Sequence, residues 1–523
     1  MRLRLYPRLH LPAAIPLASL LAAVLLAGPA RAAVPPLPDD LSPKEWKPPK
    51  ELRQIFDDFD AVEGFEELRA FADRVQPVLE KHPDWVDLHR FAIGLARQLD
   101  EMPEARAKYE AWVERDSTNA AAQYLLGILE GPGGEKRLRK ALELDPQSYY
   151  ARCGLGLLLL GGNDPRPDEA FPLLFEAARM RPDHPYAYHA IALGYEMSRD
   201  WETGLRVRRM AEVVEPSSFQ PVQYEMKDLQ QLKRGDEVLG RLEAFVEEHP
   251  KDRHAQRALV QTYLELNRVG DAIRVQTGLA EQATDYPDET YRAALLLARA
   301  GRRDEALDWL KRSARQGFDN YRVAEEDGGL DSLRALAGYA EAIAAMKEQH
   351  EKRAPEYRSQ VLAKRVDEAA PPFEVTTLDG KTLRLDDLKG KVVVLDFWAT
   401  WCGPCQKTLP LVQQIQNSVE GKPVEILCMN VWEKDKERAK VAPYWKEKGY
   451  TMSVGLASAD DATRYAVRGV PTLFVLDRDG KIRFRHSGYT PFMDEEISWV
   501  IDSLLAETTE GDGTGSSQGE LVR

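Results

Sequence analysis

Hydrophobic and polar positions follow one rhythm over the first two thirds of the chain and another over the last third. From residue 51 to 350 apolar residues recur at helical spacing. Alanine, leucine and arginine dominate, and no convincing run of alternating strand residues occurs, which predicts helices throughout. Strand patterns begin at Phe373. Phe373-Glu374-Val375-Thr376-Thr377 and Thr382-Leu383-Arg384-Leu385 flank the turn dipeptide Asp379-Gly380. The continuous apolar run Val392 to Trp398 reads as a buried strand, followed from Cys405 by an amphipathic helix. A strand over 424–431, a helix over 436–448, a hairpin of 472–477 with 482–485 around Asp479-Gly480, and a final helix over 494–505 complete the pattern. Between these blocks the periodicity lapses. Residues 33–50 are rich in proline and charge and read as a tether, and 351–370, closing on Pro371-Pro372, as a linker. Residues 507–523 have the composition of a disordered tail.

The helical part repeats. Pro182, Pro216 and Pro250 are spaced by 34 residues, Pro83 and Ser117 keep the same step, and Thr284 falls where the next break is due. Tyr188, Ile191, Ala192 and Tyr195 share one helix face, with Gly204, Arg208 and Ala211 on the following helix. Gln256, Leu259, Val260, Tyr263 and Ala272 repeat the scheme, and Ala272 and Ala306 are again 34 apart. One unit, ending at Pro146, is short and the next slightly long. This period, with small residues where two helices touch, resembles the tetratricopeptide repeat over about 83–315. The likeness implies stacked helix pairs with a groove that binds a protein or peptide, although such arrays also serve purely as structure. The stretch Gly317 to Met346 drops the pattern and reads as a cap.

The N-terminus combines Arg2, Arg4 and Arg8, an apolar run from Leu17 to Ala27, and an Ala30-Arg31-Ala32 cleavage pattern. This predicts a secretory signal peptide over 1–32, with an uncleaved membrane anchor as the alternative. Its removal takes four arginines and moves the net charge from −14 to −18. A chain this acidic is a poor candidate for nucleic acid or anionic membrane surfaces. Four cysteines in 523 residues mean that core packing carries the fold.

Two of those cysteines carry the chemistry. Trp401-Cys402-Gly403-Pro404-Cys405 lies where the buried strand gives way to a helix, placing Cys402 at the helix N-terminus, where a thiolate is favoured. The same spacing is half of a zinc site. Cys153 and Cys428 are isolated among apolar residues, however, and His486 has no partner histidine at ligand spacing. The pair therefore reads as a cycling dithiol needing neither metal nor cofactor, with an inert structural disulfide as the alternative. Cys402, first and nearest solvent, is the expected nucleophile, and Cys405 the resolving thiol. Shielding raises the Cys405 pKa, so a base is expected nearby. Asp396, mid-strand among apolar residues, and Glu433 are the candidates. A structural acid and a solvated strand-end residue, respectively, are the alternatives. Cys428 reads as an inert strand thiol or a third redox cysteine, and Cys153 as a helix-packing residue. Trp401 shapes the rim that receives partners, and Trp398 either joins it or packs in the core.

The order of these elements, with Trp-Cys-Gly-Pro-Cys after the first central strand and Gly469-Val470-Pro471-Thr472 before a later one, resembles thioredoxin. The extension Phe373–Lys391 and the insert 424–456 are similar to the extracytoplasmic TlpA/ResA branch over about 366–506. The expected architecture is thus an all-α repeat solenoid (51–350) followed by an α/β thioredoxin-like domain (371–506). The resemblance implies a cis Pro471 against the active-site disulfide, with the Val470 backbone pairing to an incoming peptide beside Gly403 and Pro404. It makes Asp396 the buried acid beneath the pair and Glu433 the active-site glutamate of ResA-type proteins. It further implies an extracytoplasmic, periplasmic thiol-disulfide oxidoreductase acting on protein disulfides and re-reduced by a membrane thiol donor. Targets of that branch include apocytochrome c cysteines and copper-site assembly proteins. Gly403-Pro404 between the cysteines is the pairing of reducing thioredoxins, with potentials near about −270 mV. The rival readings are a scaffold whose redox domain is regulatory, and a thioredoxin-fold peroxidase.

Overall fold

The computed structural model describes residues 34–507 apart from 60–61, 63–64, 100, 162–163 and 435. The expected leader and residues 508–523 of the expected tail lie outside the described residues. The chain divides into two compact units, residues 1–282 and 283–523. No helix among the described residues is long and apolar enough to cross a membrane.

The described part of the first unit is helical. After helices Lys50–Phe59 and Phe65–Lys81, pairs of helices begin at Val86, Ala120, Tyr149, Pro185, Phe219 and Arg253. These starts step by 34 residues except across the short unit from Ala120 and the slightly long one from Tyr149. The breaks at Ser117, Pro146, Pro216 and Pro250 fall in turns, and the polar residue that follows each turn caps the next helix. Asn119, Ser148, Ser218 and Asp252 accept N–H bonds through their side chains. Tyr188, Ile191, Ala192, Tyr195 and Ala211 are buried. At Gly204 an added Cβ would come within 3.3 Å of Glu196 Cγ, which accounts for the small residue there. Arg208 is also buried, its Nε donating to Glu196 Oε1 at 2.8 Å.

The proline-rich segment expected as a tether packs against this unit from its first described residues. Leu41 is buried in the helical core. The N–H groups of Lys44 and Trp46 donate to the carbonyls of Pro182 at 2.9 Å and Val214 at 2.8 Å. Tyr195 donates to the carbonyl of Pro35 at 2.9 Å, and Arg179 forks Asp40 at 2.8 and 3.0 Å. The indole of Trp46 lies against Phe56 and His184. An extended segment with free donors satisfies the Val214 carbonyl that a helix C-terminus leaves unpaired and the Pro182 carbonyl in a turn, so it needs no period of its own to be held.

In the second unit the pair Pro287–Arg299 and Arg303–Arg315 continues the 34-residue step. Then follow α1 (Tyr321–Glu326), a 3-10 turn (Gly328–Leu333) and the long α2 (Ala337–Ala363). The linker expected over 351–370 is therefore mostly helix. Its charged residues lie on the outside, while Val361, 6% exposed, joins the core of the α/β domain. The strands are β1 (Glu368–Ala369), β2 (Glu374–Thr377), β3 (Thr382–Arg384), β4 (Val392–Trp398), β5 (Val424–Asn430), β6 (Ser453–Leu456), β7 (Thr472–Leu476) and β8 (Lys481–Ser487). They form one sheet in the order β1-β8-β7-β4-β5-β6-β2-β3. β4, β5 and β6 pair in parallel, whereas β7, β8, β1, β2 and β3 join antiparallel.

The remaining helices are α3 (Cys405–Ser418), α4 (Val441–Lys448), α5 (Ala459–Arg464) and α6 (Met493–Ala506). Alternation along β4 assigns its faces. Val392, Val394 and Trp398 pack with Leu409, Val412, Trp445, Ile497 and Ile501, that is, against α3, α4 and α6. Val393, Leu395 and Phe397 pack with Phe373, Ala462 and Tyr465 on the other side. β1, β6 and α5 are absent from the sequence expectations. They are short, and β6 contains Gly455, which lets the Val375 side chain approach to a distance no Cβ would tolerate.

Candidate redox site

Strand β4 is buried at all seven positions, and six of them are apolar, each contributing ~1.5–3 kcal/mol by its removal from water. This fixes the end of the strand at Trp398 and so fixes the turn that follows it. Ala399, through its carbonyl, receives the Cys402 N–H at 3.2 Å, and α3 then starts at Cys405 behind Pro404. The first turn of α3 holds no acid that would neutralise the positive end of the helix.

Cys402 and Cys405 are joined as a disulfide. Both sulfurs are recessed: Cys402 is 3% exposed and Cys405 fully buried, while Trp401, Gly403 and Pro404 around them are exposed. The backbone N–H of Cys405 points at Cys402 Sγ at 3.1 Å, an arrangement that stabilises a thiolate at Cys402 once the bond is reduced. The Val470–Pro471 bond is cis, and the carbonyl of Val470 lies 3.4 Å from Cys402 Sγ. In the disulfide that sulfur has no proton; as a thiol it can donate to this carbonyl.

Asp396 occupies the helix-facing side of β4, between Val394 and Trp398, and is 1% exposed. Its register partners are Cys428 on β5 and Leu473 on β7. Burial alone pushes its carboxyl up to about 7, and its Oδ2 has no hydrogen-bond partner. Cys428 is pushed above the usual thiol range by burial and then by the charge of Asp396. The acid, the buried thiol and the CxxC pair thus face one core. Cys153, in the first unit, is buried among helices and pushed up to about 12 by desolvation.

Glu433 is half-buried and its carboxylate is engaged. Its Oε1 accepts the Thr400 N–H at 2.6 Å and the Asn430 side-chain amide at 3.1 Å, and its Oε2 accepts the Thr400 hydroxyl at 3.0 Å. Trp432, at φ +56°, turns the chain so that Glu433 faces the turn before Cys402. The carbonyl of Trp432 receives the indole N–H of Trp401 at 3.2 Å. Trp401 is 60% exposed and so presents a flat apolar face beside Cys402. Trp398 is fully buried against Tyr444 and Trp445, which places it in the core and not at the rim.

The structure therefore gathers Trp401, Gly403, Pro404 and Val470 at one rim around the recessed Cys402, Cys405 and Pro471, with Asp396 in the core face beneath it and Glu433 bracing the turn. Thr400, Asn430 and Trp432 are not singled out by sequence reasoning. A polar Asn at the end of a buried strand, three residues before Glu433, is the available signal. Lys407 and Tyr489 form a further part of the rim, the ammonium lying 5.3 Å from the ring centroid.

The Redoxin family matches over residues 365–497. A thiol-disulfide oxidoreductase ResA of Bacillus cereus is 38% identical over 117 residues, which cover 22% of this chain and 64% of that protein. The protein of the same name from Geobacillus thermodenitrificans (strain NG80-2) is 34% identical over 140 residues, covering 27% and 78%. The chain thus spans just under two thirds of the length of the first relatives. A crystal structure of a thiol:disulfide interchange protein of the thioredoxin family from Chlorobium tepidum TLS aligns with 26% identity and a TM-score of 0.25. That alignment covers 27% of this chain and 97% of the other.

Proposed function

The chain belongs, through its α/β domain, to the ResA-type thiol-disulfide oxidoreductases of the redoxin family, and from that premise we propose that it reduces disulfides in protein substrates outside the cytosol. The observation that carries this reading is the recessed Cys402–Cys405 pair, with the Cys405 N–H on Cys402 Sγ and the Val470 carbonyl beside it.

In the reaction the Cys402 thiolate attacks one sulfur of the substrate disulfide. A mixed disulfide forms, and the second substrate sulfur leaves as a thiolate that takes up a proton. Cys405, deprotonated, then attacks Cys402 Sγ. The Cys402–Cys405 bond closes and the first substrate sulfur is released and protonated. Two electrons pass from the dithiol to the substrate, and a membrane thiol donor restores the pair. Asp396 serves as the acceptor of the Cys405 proton. It faces the same core, lacks a partner at Oδ2, and titrates close to neutrality, where proton exchange in both directions is easy. Glu433, with three donors already on its carboxylate, acts as a brace for the turn. Trp401, Gly403 and Pro404 line the landing surface for the substrate peptide, which pairs with the Val470 backbone.

The leader expected over 1–32 supports an extracytoplasmic, periplasmic location, and the 34-residue array supports recruitment of protein partners. Apocytochrome c and copper-site assembly proteins have the exposed cysteine pairs that such a reductase serves. Trapping tests the reading. Cys405→Ala is expected to hold substrates as mixed disulfides on Cys402, releasable by dithiothreitol, whereas Cys402→Ala holds none. A potential above roughly −150 mV would reverse the direction of electron flow and refute a reductase.

A further inference from the structure

The helices that precede the α/β domain within the second unit are built onto the rim of the redox site. Arg322 of α1 is the centre of this contact. Its Nη1 donates to the Pro491 carbonyl at 2.8 Å and to Asp494 Oδ1 at 2.5 Å. Nη2 reaches Asp494 Oδ2 at 3.1 Å and Glu495 Oε1 at 3.0 Å, and the guanidinium sits 4.8 Å from the Phe492 ring centroid. From α2, His350 Nε2 meets Glu495 Oε2 at 2.9 Å, and its ring stacks on Phe492 at 4.0 Å. Tyr321 closes the third side of Phe492 at 5.3 Å. Side chains from outside the redox fold therefore grip residues 491–495, where the connection between β8 and α6 ends.

The other end of that connection lies in the site. The Gly488 N–H donates to the Pro471 carbonyl at 2.9 Å, and the preceding carbonyl, that of Val470, faces Cys402 Sγ. Tyr489 packs against Lys407, two residues after Cys405. The Tyr489 hydroxyl is pushed above the usual phenol range by burial and then by the charge of Glu326 at the end of α1. Residues 488–492 form no helix or strand of their own, and what shapes them is what they are attached to.

We propose that Arg322 is a positioning residue of the redox site: by fixing the connection 488–492 it sets the Val470–Pro471 edge and the Tyr489 rim against which a protein disulfide docks. The proposal rests on the reading of Cys402 as the attacking thiol. It deepens that reading by making the helical part of the chain a determinant of which disulfides are reduced. A planar guanidinium making four hydrogen bonds to residues 491–495 and covering an aromatic ring is not replaced by a lysine, whose single ammonium cannot reach both carboxylates and the carbonyl in one geometry. Asp494 and Glu495 also occupy the first turn of α6, where the helix favours negative charge, so the fold tolerates loss of the arginine.

The effect is confined to large substrates. A small disulfide needs only access to Cys402, whereas an extended peptide must pair along the positioned edge. Reduced full-length protein, wild type and Arg322→Ala, is assayed with insulin and with 5,5′-dithiobis(2-nitrobenzoate), and the potential of the Cys402–Cys405 pair is measured against glutathione. The expected result is a KM for insulin raised roughly tenfold with kcat little changed, since misplaced docking surfaces act on binding before chemistry. The rate with the small disulfide and the potential stay at the wild-type values, and Arg322→Lys recovers only part of the loss. If Arg322→Ala does not fold, the double variant Asp494→Asn, Glu495→Gln removes the other side of the contact and is expected to give the same split. Equal losses on both disulfides, a shifted potential, or an unchanged KM for insulin would overturn the positioning role. Wild-type protein that reduces the small disulfide but not insulin would instead refute the reductase reading itself.

Discussion

Replacing Asp396 by asparagine isolates the cost of the one acid in the buried strand. Burial raises the Asp396 carboxyl from 3.8 to about 7 and no cation offsets it. Between those two values the folded chain keeps the proton while the unfolded chain releases it. The folded state thus binds more protons, and stability falls as pH rises through this window. The rise from 3.8 to about 7, at ~1.4 kcal/mol per pH unit, makes the total loss ~4 kcal/mol, complete above pH 7. Asparagine resembles the protonated acid and cannot ionise. The stability of Asp396→Asn minus that of wild type is therefore expected to grow by ~1.4 kcal/mol per pH unit between about pH 4 and 7, then level off. Groups that do not interact with Asp396 cancel in that difference, and Cys428, pushed above the usual thiol range, does not titrate in this window. Hydrogen exchange of the β4 amides in the oxidised protein reads it, because it reports on the α/β domain without interference from the helical unit. A difference that stays flat across the window would show that Asp396 is solvated or paired, and would remove it as the proton acceptor for Cys405. In the same variant the release of trapped mixed disulfides by Cys405 is expected to slow while their formation by Cys402 does not.

Glu433→Ala removes two hydrogen bonds from the turn before Cys402 and a third from Asn430, and is expected to destabilise the α/β domain by ~2–3 kcal/mol in urea unfolding. Glu433→Gln keeps an acceptor for Thr400 and is expected to retain most of the insulin reduction rate. A loss in the glutamine variant as large as in the alanine variant would instead make Glu433 a base. Trp46→Ala empties the space between Phe56 and His184 at the start of the array. Destabilisation of ~2–3 kcal/mol is expected for this half-buried ring, with new proteolytic cleavage in residues 34–48. Unchanged resistance to protease would mean that the segment does not depend on Trp46. Asp228, buried in the array without partners on either carboxylate oxygen, is pushed up to about 7 by desolvation and then by the charge of Glu196. Its ionisation therefore opposes folding as pH rises from about 4 to 7, and Asp228→Asn is expected to raise the thermal midpoint at pH 8 more than at pH 5. An equal shift at both values would refute the assignment.

What can be read directly is what local burial writes into a chain. A strand covered on both faces is apolar at nearly every position, so β4 is legible over 392–398, and the switch to helix at Cys405 locates the redox pair. A stack of similar helix pairs must repeat its contacts, so the 34-residue step appears together with its short and long units. The Pro-rich segment 34–47 carries no such mark, because it is held by scattered anchors, Leu41, Trp46 and backbone bonds to the carbonyls of Pro182 and Val214, that follow no period. Residues 351–363 read as a linker because their charged residues outnumber the few that touch a core. The role of Glu433 is hidden for a similar reason: its type marks it as an acid, and only the position of Thr400 makes it a brace.

The sequence by itself therefore determined the chemistry and its local frame: two thiols at a helix N-terminus, a strand that buries an acid beside them, and a periodic helical array. Tertiary structure alone decided how the frame is held. Arg322 is separated from Asp494 by more than 170 residues, and Thr400 from Glu433 by 33. Period and composition record which residues leave water within one element. They carry no record of which distant polar group each will meet, since a hydrogen bond is directional and exists only once the packed elements have fixed both ends.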